Sequence, residues 1–221
     1  MPSDTELVKI PYHEARKYVL DGDVLLYNGK GLISKCIKVC GLSPYSHVGM
    51  AGWTNGDPDS QYNRLMVYEM LQSGGQGHNL SAHVEQRKEV HVYRVSDSHT
   101  EYRWDPHFED VVGETAVFER KLAVATMRDF CRPGEYGNVH LFWTALRHLP
   151  LVRFFFRQPT DDDLEDRTRP PYCSEAVAYA LRKAFTDVVR NMPDHYTSPG
   201  ALARSPLLHY MFTLVEPTKE G

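Results

Sequence analysis

The stretch from Arg169 to Phe185, RPPYCSEAVAYALRKAF, constrains this chain more than any other. Pro170 and Pro171 lack a backbone N–H and have fixed φ, so they end whatever precedes them. Behind them Cys173, Ala176, Val177, Ala180, Leu181 and Ala184 recur at helical spacing and define one buried helix face. Glu175 falls in the first turn, and Arg182 and Lys183 fall near the last, as the helix dipole favours. Cys173 therefore opens a helix, where unpaired backbone N–H groups and the dipole both favour a thiolate. The competing reading is a small core residue, the usual role of a buried free cysteine.

Upstream, short strands supply what a thiolate needs. Val24 to Tyr27 follows the turn signal Asp21-Gly22-Asp23 and reads as a strand. Ser46 to Trp53, SHVGMAGW, reads as another. Its alternation puts His47, Gly49 and Ala51 on one face, with small residues beside the histidine. Leu65 to Leu71, LMVYEML, follows after a polar loop at 54–63. Leu65, Val67 and Glu69 share a face there, and an acid among apolar neighbours needs a partner, which a nearby histidine would supply. A base holds the thiol proton, a third group orients the base, and the thiolate attacks: Cys173, His47 and Glu69 are the residue types that chemistry requires.

The remaining segments are assigned by pattern. A helix broken by Pro11 is expected over 5–20, and a helix over 30–40 capped by Gly41. Ser73 to Gly77, SGGQG, is expected as a flexible loop, and Glu89 to Val95 as a strand. Residues 97–112 read as irregular, Thr115 to Cys131 as a helix, and Asn138 to Leu149 as a second helix. Cys36 and Cys40 lie four apart, but they belong to an apolar face and no histidine pair completes a site. No metal is expected there, nor at the acidic run 161–166, which reads as a solvated loop.

Composition narrows the function classes. With 221 residues, one domain with insertions fits better than two. The net charge of −4 offers no basic footprint for nucleic acid. Four cysteines without CxxC spacing argue against a disulfide framework. The N-terminal segment has no apolar h-region and no apolar run reaches about 18 residues, so neither a signal peptide nor a transmembrane segment is expected. The expected location is cytoplasmic, or outside the cell by delivery without a signal peptide, for example in a phage virion.

Several pieces resemble one family: GDVLLYNGKGLISKCI at 22–37, PYSHVGMAG at 44–52, VYEML at 67–71, VYRV at 92–95, EYG at 135–137, YCSEAVAYAL at 172–181 and TSPGALARSP at 197–206. Together, and in the order histidine, acid, cysteine, they resemble the circularly permuted NlpC/P60-like cysteine peptidases and amidases, in the YiiX/YaeF-like branch. The resemblance implies one α+β domain over 1–221 with a papain-like fold, in which a small antiparallel sheet or barrel packs against helices. It also implies Cys173 as nucleophile, His47 as base and Glu69 as its orienting partner, with no cofactor. Extra material is expected near 97–115 and 150–169. Tyr45 and Tyr172 neighbour the pair in sequence and are candidate substrate-binding residues, with core aromatics the equal alternative. Of the other histidines, His78 is the one singled out, because it lies in a loop.

Three functions follow. The first is a cysteine hydrolase of amide bonds, acting on peptidoglycan stem peptides or related small peptides. The second is a lipid-directed thiol acyltransferase or phospholipase, favoured by the aromatic and basic stretch 141–156, LFWTALRHLPLVRFFF, which offers a membrane-surface contact. A buried helix is the preferred reading of that stretch. The third is a non-catalytic module of a larger particle, for which the intact Cys, His and Glu would be unnecessary.

Overall fold

The computed structural model describes residues 7–29, 32–55, 63–71, 73–105, 110–131, 171–189 and 192–216. The helix predicted at 138–149, the stretch 141–156 and the expected insertion at 150–169 lie outside them.

The architecture is α+β: a mixed sheet with helices on its faces. The strands of the main sheet are β1 (Lys9–Pro11), β2 (Val24–Tyr27), β3 (His47–Trp53), β4 (Leu65–Leu71), β5 (Gly74–Asn79), β6 (Glu89–Val95) and β9 (Leu208–Val215). Their order is β1-β9-β6-β2-β3-β4-β5. All neighbours run antiparallel except β1 and β9, so the sheet is larger than expected and carries one parallel pair. A separate hairpin joins β7 (Ser98–Asp105) to β8 (Asp110–Val117).

The helices are α1 (Tyr12–Ala15), α2 (Leu32–Gly41), α3 (Leu80–Arg87), α4 (Arg120–Phe130), α5 (Cys173–Lys183) and α6 (Pro199–Ala203). One core lies where α4 and α5 cover the face carrying Val24, Leu26, Val48, Met50, Tyr68 and Met70. A second lies on the opposite face, where Leu80 and Val84 of α3 meet Leu25, Tyr27, Ala51, Leu65 and Val67. The strand alternation read from the sequence thus partitions the two faces as expected.

Four local expectations are corrected. Residues 9–11 pair with β9 instead of joining a helix, leaving one short α-helical turn and a 3-10 turn behind them. Residues 74–77 are not a loop but part of β5, which pairs with β4 from Leu71↔Gly74 to Met66↔Asn79. The segment expected to be irregular forms the β7–β8 hairpin. Because β8 claims Thr115 to Val117, α4 begins at Arg120, not at Thr115.

Candidate active site

Three adjacent strands build one wall of the site. Tyr27 of β2 stands directly opposite His47 of β3, and Gly49 of β3 stands opposite Glu69 of β4. All four share a face, and His47 and Glu69 are diagonal neighbours across β3 and β4, within reach of long side chains. Gly49 makes the room: a Cβ there would lie 2.7 Å from Val67 Cγ2 and 3.2 Å from Tyr27 Oη. His47 Nε2 and Glu69 Oε2 are 2.8 Å apart, and the Tyr27 hydroxyl donates to the same carboxylate oxygen.

The thiol arrives from α5. Tyr172 is the N-cap in extended conformation, and Cys173 is the first helical residue. The Glu175 carboxylate accepts the backbone N–H of Tyr172 at 3.2 Å, fixing the entry of the chain into the helix. The helix is buried nearly all round, from Ser174 to Leu181, and Ser174 Oγ donates to the Thr197 carbonyl at 2.7 Å. Such a helix has little freedom to shift, so the position of Cys173 is set by the core. Its thiol interacts with His47 and with the backbone N–H groups of Val48 and Ser174, each of which favours the thiolate. With Nε2 engaged by Glu69, Nδ1 is the ring nitrogen left for Cys173.

The electrostatics favour an ion pair. Burial alone would raise the Cys173 thiol, but the His47 imidazolium and the two N–H groups outweigh it and bring the thiol below its ordinary value. Burial alone would lower His47, yet Cys173 and Glu69 raise it to about 9. Burial opposes the Glu69 charge too, and His47, His83 and the Tyr27 hydroxyl pull the carboxyl down to about 2. Cys131, at the end of α4, has the opposite character: burial pushes its thiol up to about 11, against the pull of the Glu69 backbone N–H.

The structure thus gathers Cys173, His47 and Glu69. The two candidate tyrosines stand differently. Tyr45 is buried in the core, its hydroxyl 3.1 Å from that of Tyr93 and its ring edge-on to His91 and Tyr93. Tyr172 is half-buried, and its hydroxyl donates to the His195 carbonyl. His78 lies on β5, not in a loop, and stacks on His83. Two residues of the site were not singled out from sequence. Tyr27 was read only as part of an apolar strand, although its position opposite His47 follows from an antiparallel pairing of 24–27 with 47–50. His83 sits on α3, whose signal was the spacing of Leu80 and Val84. Among the described residues, no group of three or more His, Cys, Asp or Glu is arranged to hold a metal ion, and no helix is long and apolar enough to cross a membrane.

The fold class is α+β and the site is a cysteine paired with a carboxylate-bound histidine. No family model and no curated protein matches the chain. Among solved structures, the chain is similar to the metalloprotein yiiX from Escherichia coli O157:H7. The identity is 19% over 87% of this chain and 96% of that one, with a TM-score of 0.47.

Proposed function

We propose that this chain is a cysteine hydrolase that cleaves amide bonds, with Cys173 as nucleophile, His47 as acid–base and Glu69 as the group that orients His47. The observation that carries this reading is His47 held with Nε2 2.8 Å from Glu69 Oε2 while the Cys173 thiol acts on the same imidazole. The Cys173 thiolate adds to the carbonyl carbon, and the carbonyl electron pair moves to oxygen. The backbone N–H of Cys173, at the first helical position, has no intrahelical acceptor and is the donor available to that oxygen. The tetrahedral adduct collapses, the C–N bond breaks, and His47 gives its proton to the leaving amine. Neutral His47 then takes a proton from water as it attacks the thioester, and collapse of that adduct releases the acid and restores the thiolate–imidazolium pair. Glu69 stabilises the imidazolium throughout.

The order His47, Glu69, Cys173 along the chain suits a circularly permuted papain-like arrangement. The substrate class best motivated by the sequence resemblance is a peptidoglycan stem peptide or a related small peptide. Tyr172, beside the nucleophile, is the aromatic proposed to line the substrate cleft. Tyr45, tied to Tyr93 in the core, is proposed to act at most by supporting the strand that carries His47. The test is digestion of purified muropeptides by the full chain and by Cys173→Ser, with products read by mass spectrometry. The expected result is a new free amine released by the wild type and not by the variant. Equal products from both would remove Cys173 from the chemistry.

A further inference from the structure

Glu69 lies between two imidazoles, and only one of them belongs to the reaction described above. His47 Nε2 and the Tyr27 hydroxyl both engage Oε2. Oε1 is buried and has no close hydrogen-bond donor, while His83 Nδ1 stands 3.5 Å from it. Glu69 is 1% exposed and His83 4% exposed, so neither is drawn there by solvent. The rest of the His83 ring is enclosed. Tyr27 packs against it at 4.9 Å between ring centroids, His78 of β5 stacks on it at 6.4 Å, and Nε2 is buried without a partner. A buried carboxylate oxygen facing one possible donor, and a buried imidazole facing one strong acceptor, are each poorly satisfied without the other.

We propose that His83 is a positioning residue: held neutral with its proton on Nδ1, it fixes the plane of the Glu69 carboxylate so that Oε2 stays in line with His47. This rests on the reading of Cys173, His47 and Glu69 as the reacting group. The terminal torsion of a glutamate is broad, so a carboxylate bonded through one oxygen alone is free to swing. A donor on Oε1 removes that freedom. Four features keep the ring neutral. Burial pushes His83 down to about 4, and the cationic Arg87 on its own helix and His47 across the carboxylate act in the same direction, with His78 adding a smaller push. Glu69 opposes them and is outweighed. Arg87 also lies over the Tyr27 ring, 5.2 Å from its centroid, so α3 contributes a cation and a neutral donor to one small region. A neutral ring orients the carboxylate without competing with the His47 imidazolium for its charge.

The test has two arms on the full chain. The first is the tautomer of His83, read by long-range nitrogen–proton NMR of histidine-labelled protein near neutral pH, the signal assigned by its loss in His83→Asn. Protonation on Nδ1 with bare Nε2 is expected; protonation on Nε2 would overturn the proposal, whatever the activity of the enzyme. The second arm is the pH profile of Cys173 alkylation. Asparagine can place an amide N–H near the Nδ1 position, whereas leucine fills the space with no donor. His83→Leu is expected to slow alkylation severalfold at mildly acidic pH and to displace the profile upward, and His83→Asn to restore most of it. Profiles superimposable on the wild type in both variants would overturn the proposal. If His83→Leu fails to fold, as its thermal transition would reveal, the tautomer still decides. A wild-type Cys173 no more reactive than Cys131 would instead count against the parent reading.

Discussion

Two buried carboxylates sit on this sheet, and their partners set them apart. Asp23, at the entrance to β2, is 0% exposed. It accepts Arg94 Nε at 2.9 Å, Arg94 Nη2 at 2.7 Å and the Leu20 backbone N–H at 2.9 Å, with Arg120 Nη1 at 3.6 Å. Glu69 is as deeply buried, but its partners are two imidazoles and a phenol. A guanidinium keeps its charge at any pH the fold survives, so Asp23 ties β2, β6 and α4 together and has no proton to pass. An imidazole gains and loses a proton near neutrality, so the same kind of buried charge at Glu69 suits the acid–base role proposed for His47. Burial of an acid is common to both places; the nature of the cation separates a structural tie from the proposed site of chemistry.

The largest expected effect lies at the structural tie. Asp23→Ala leaves the partly buried Arg94 guanidinium without its carboxylate, while Arg120 keeps Asp97, and should cost about 3–5 kcal/mol in urea unfolding. Glu69→Gln should keep the fold, because size and hydrogen-bonding shape survive. It should lower amide turnover by about a hundredfold, the low end of what a positioned acid–base group contributes. If the two losses were exchanged, with Asp23→Ala stable and inactive and Glu69→Gln unfolded, the distinction drawn here would be wrong.

Acid sharpens the comparison. The folded Glu69 carboxyl is lowered from its ordinary 4.5 to about 2. Its contribution to stability is therefore complete above 4.5 and is lost as the pH falls towards 2. His83, lowered to about 4, adds to the acid loss, because a ring buried neutral must charge. At the alkaline end, His47 is raised to about 9, so its contribution is complete below its ordinary 6.5 and is lost as the pH climbs through 9. Urea midpoints followed from about pH 3 to 7 should fall towards acid in the wild type and fall less in Glu69→Gln. Parallel curves would mean that Glu69 does not carry its charge as described.

A smaller effect is expected at Gly49. Alanine there must displace Val67 or the Tyr27 hydroxyl, at a cost of about 1–3 kcal/mol, with a modest loss of thiol reactivity as Tyr27 moves off Glu69. Thermal melts and alkylation rates of Gly49→Ala would check both parts. An unchanged protein would show that the close approach of Tyr27 to Glu69 is not needed.

The residues of the site were legible where a local pattern placed them. Alternation put His47 beside Gly49 on one face of its strand and Glu69 with Leu65 and Val67 on one face of the next, and the proline pair with its helical spacing put Cys173 at a helix start. What failed to show were elements made by pairing and not by propensity. The glycine-rich GGQGHN run has little strand preference of its own. It is a strand because β4 offers it a ladder and because Gly75 lets the end of α4 lie against it, where a Cβ would fall 2.0 Å from the Phe130 carbonyl oxygen. Residues 9–11 read as helix because their partner β9 lies some two hundred residues away in the chain. Tyr27 and His83 were passed over for a related reason: their roles come from what stands opposite them, and no spacing in the sequence announces it.

The central claim is that Cys173 is held as a thiolate by His47, while Cys131, close by in the same fold, is held as a thiol. Brief iodoacetamide labelling of the folded protein near pH 6, read by peptide mass spectrometry over a range of pH, tests it directly. Cys173 should label first, with a midpoint below that of an ordinary thiol, and Cys131, pushed up to about 11, should stay essentially unlabelled. Equal labelling of the two, or labelling of Cys173 only after unfolding, would contradict the claim.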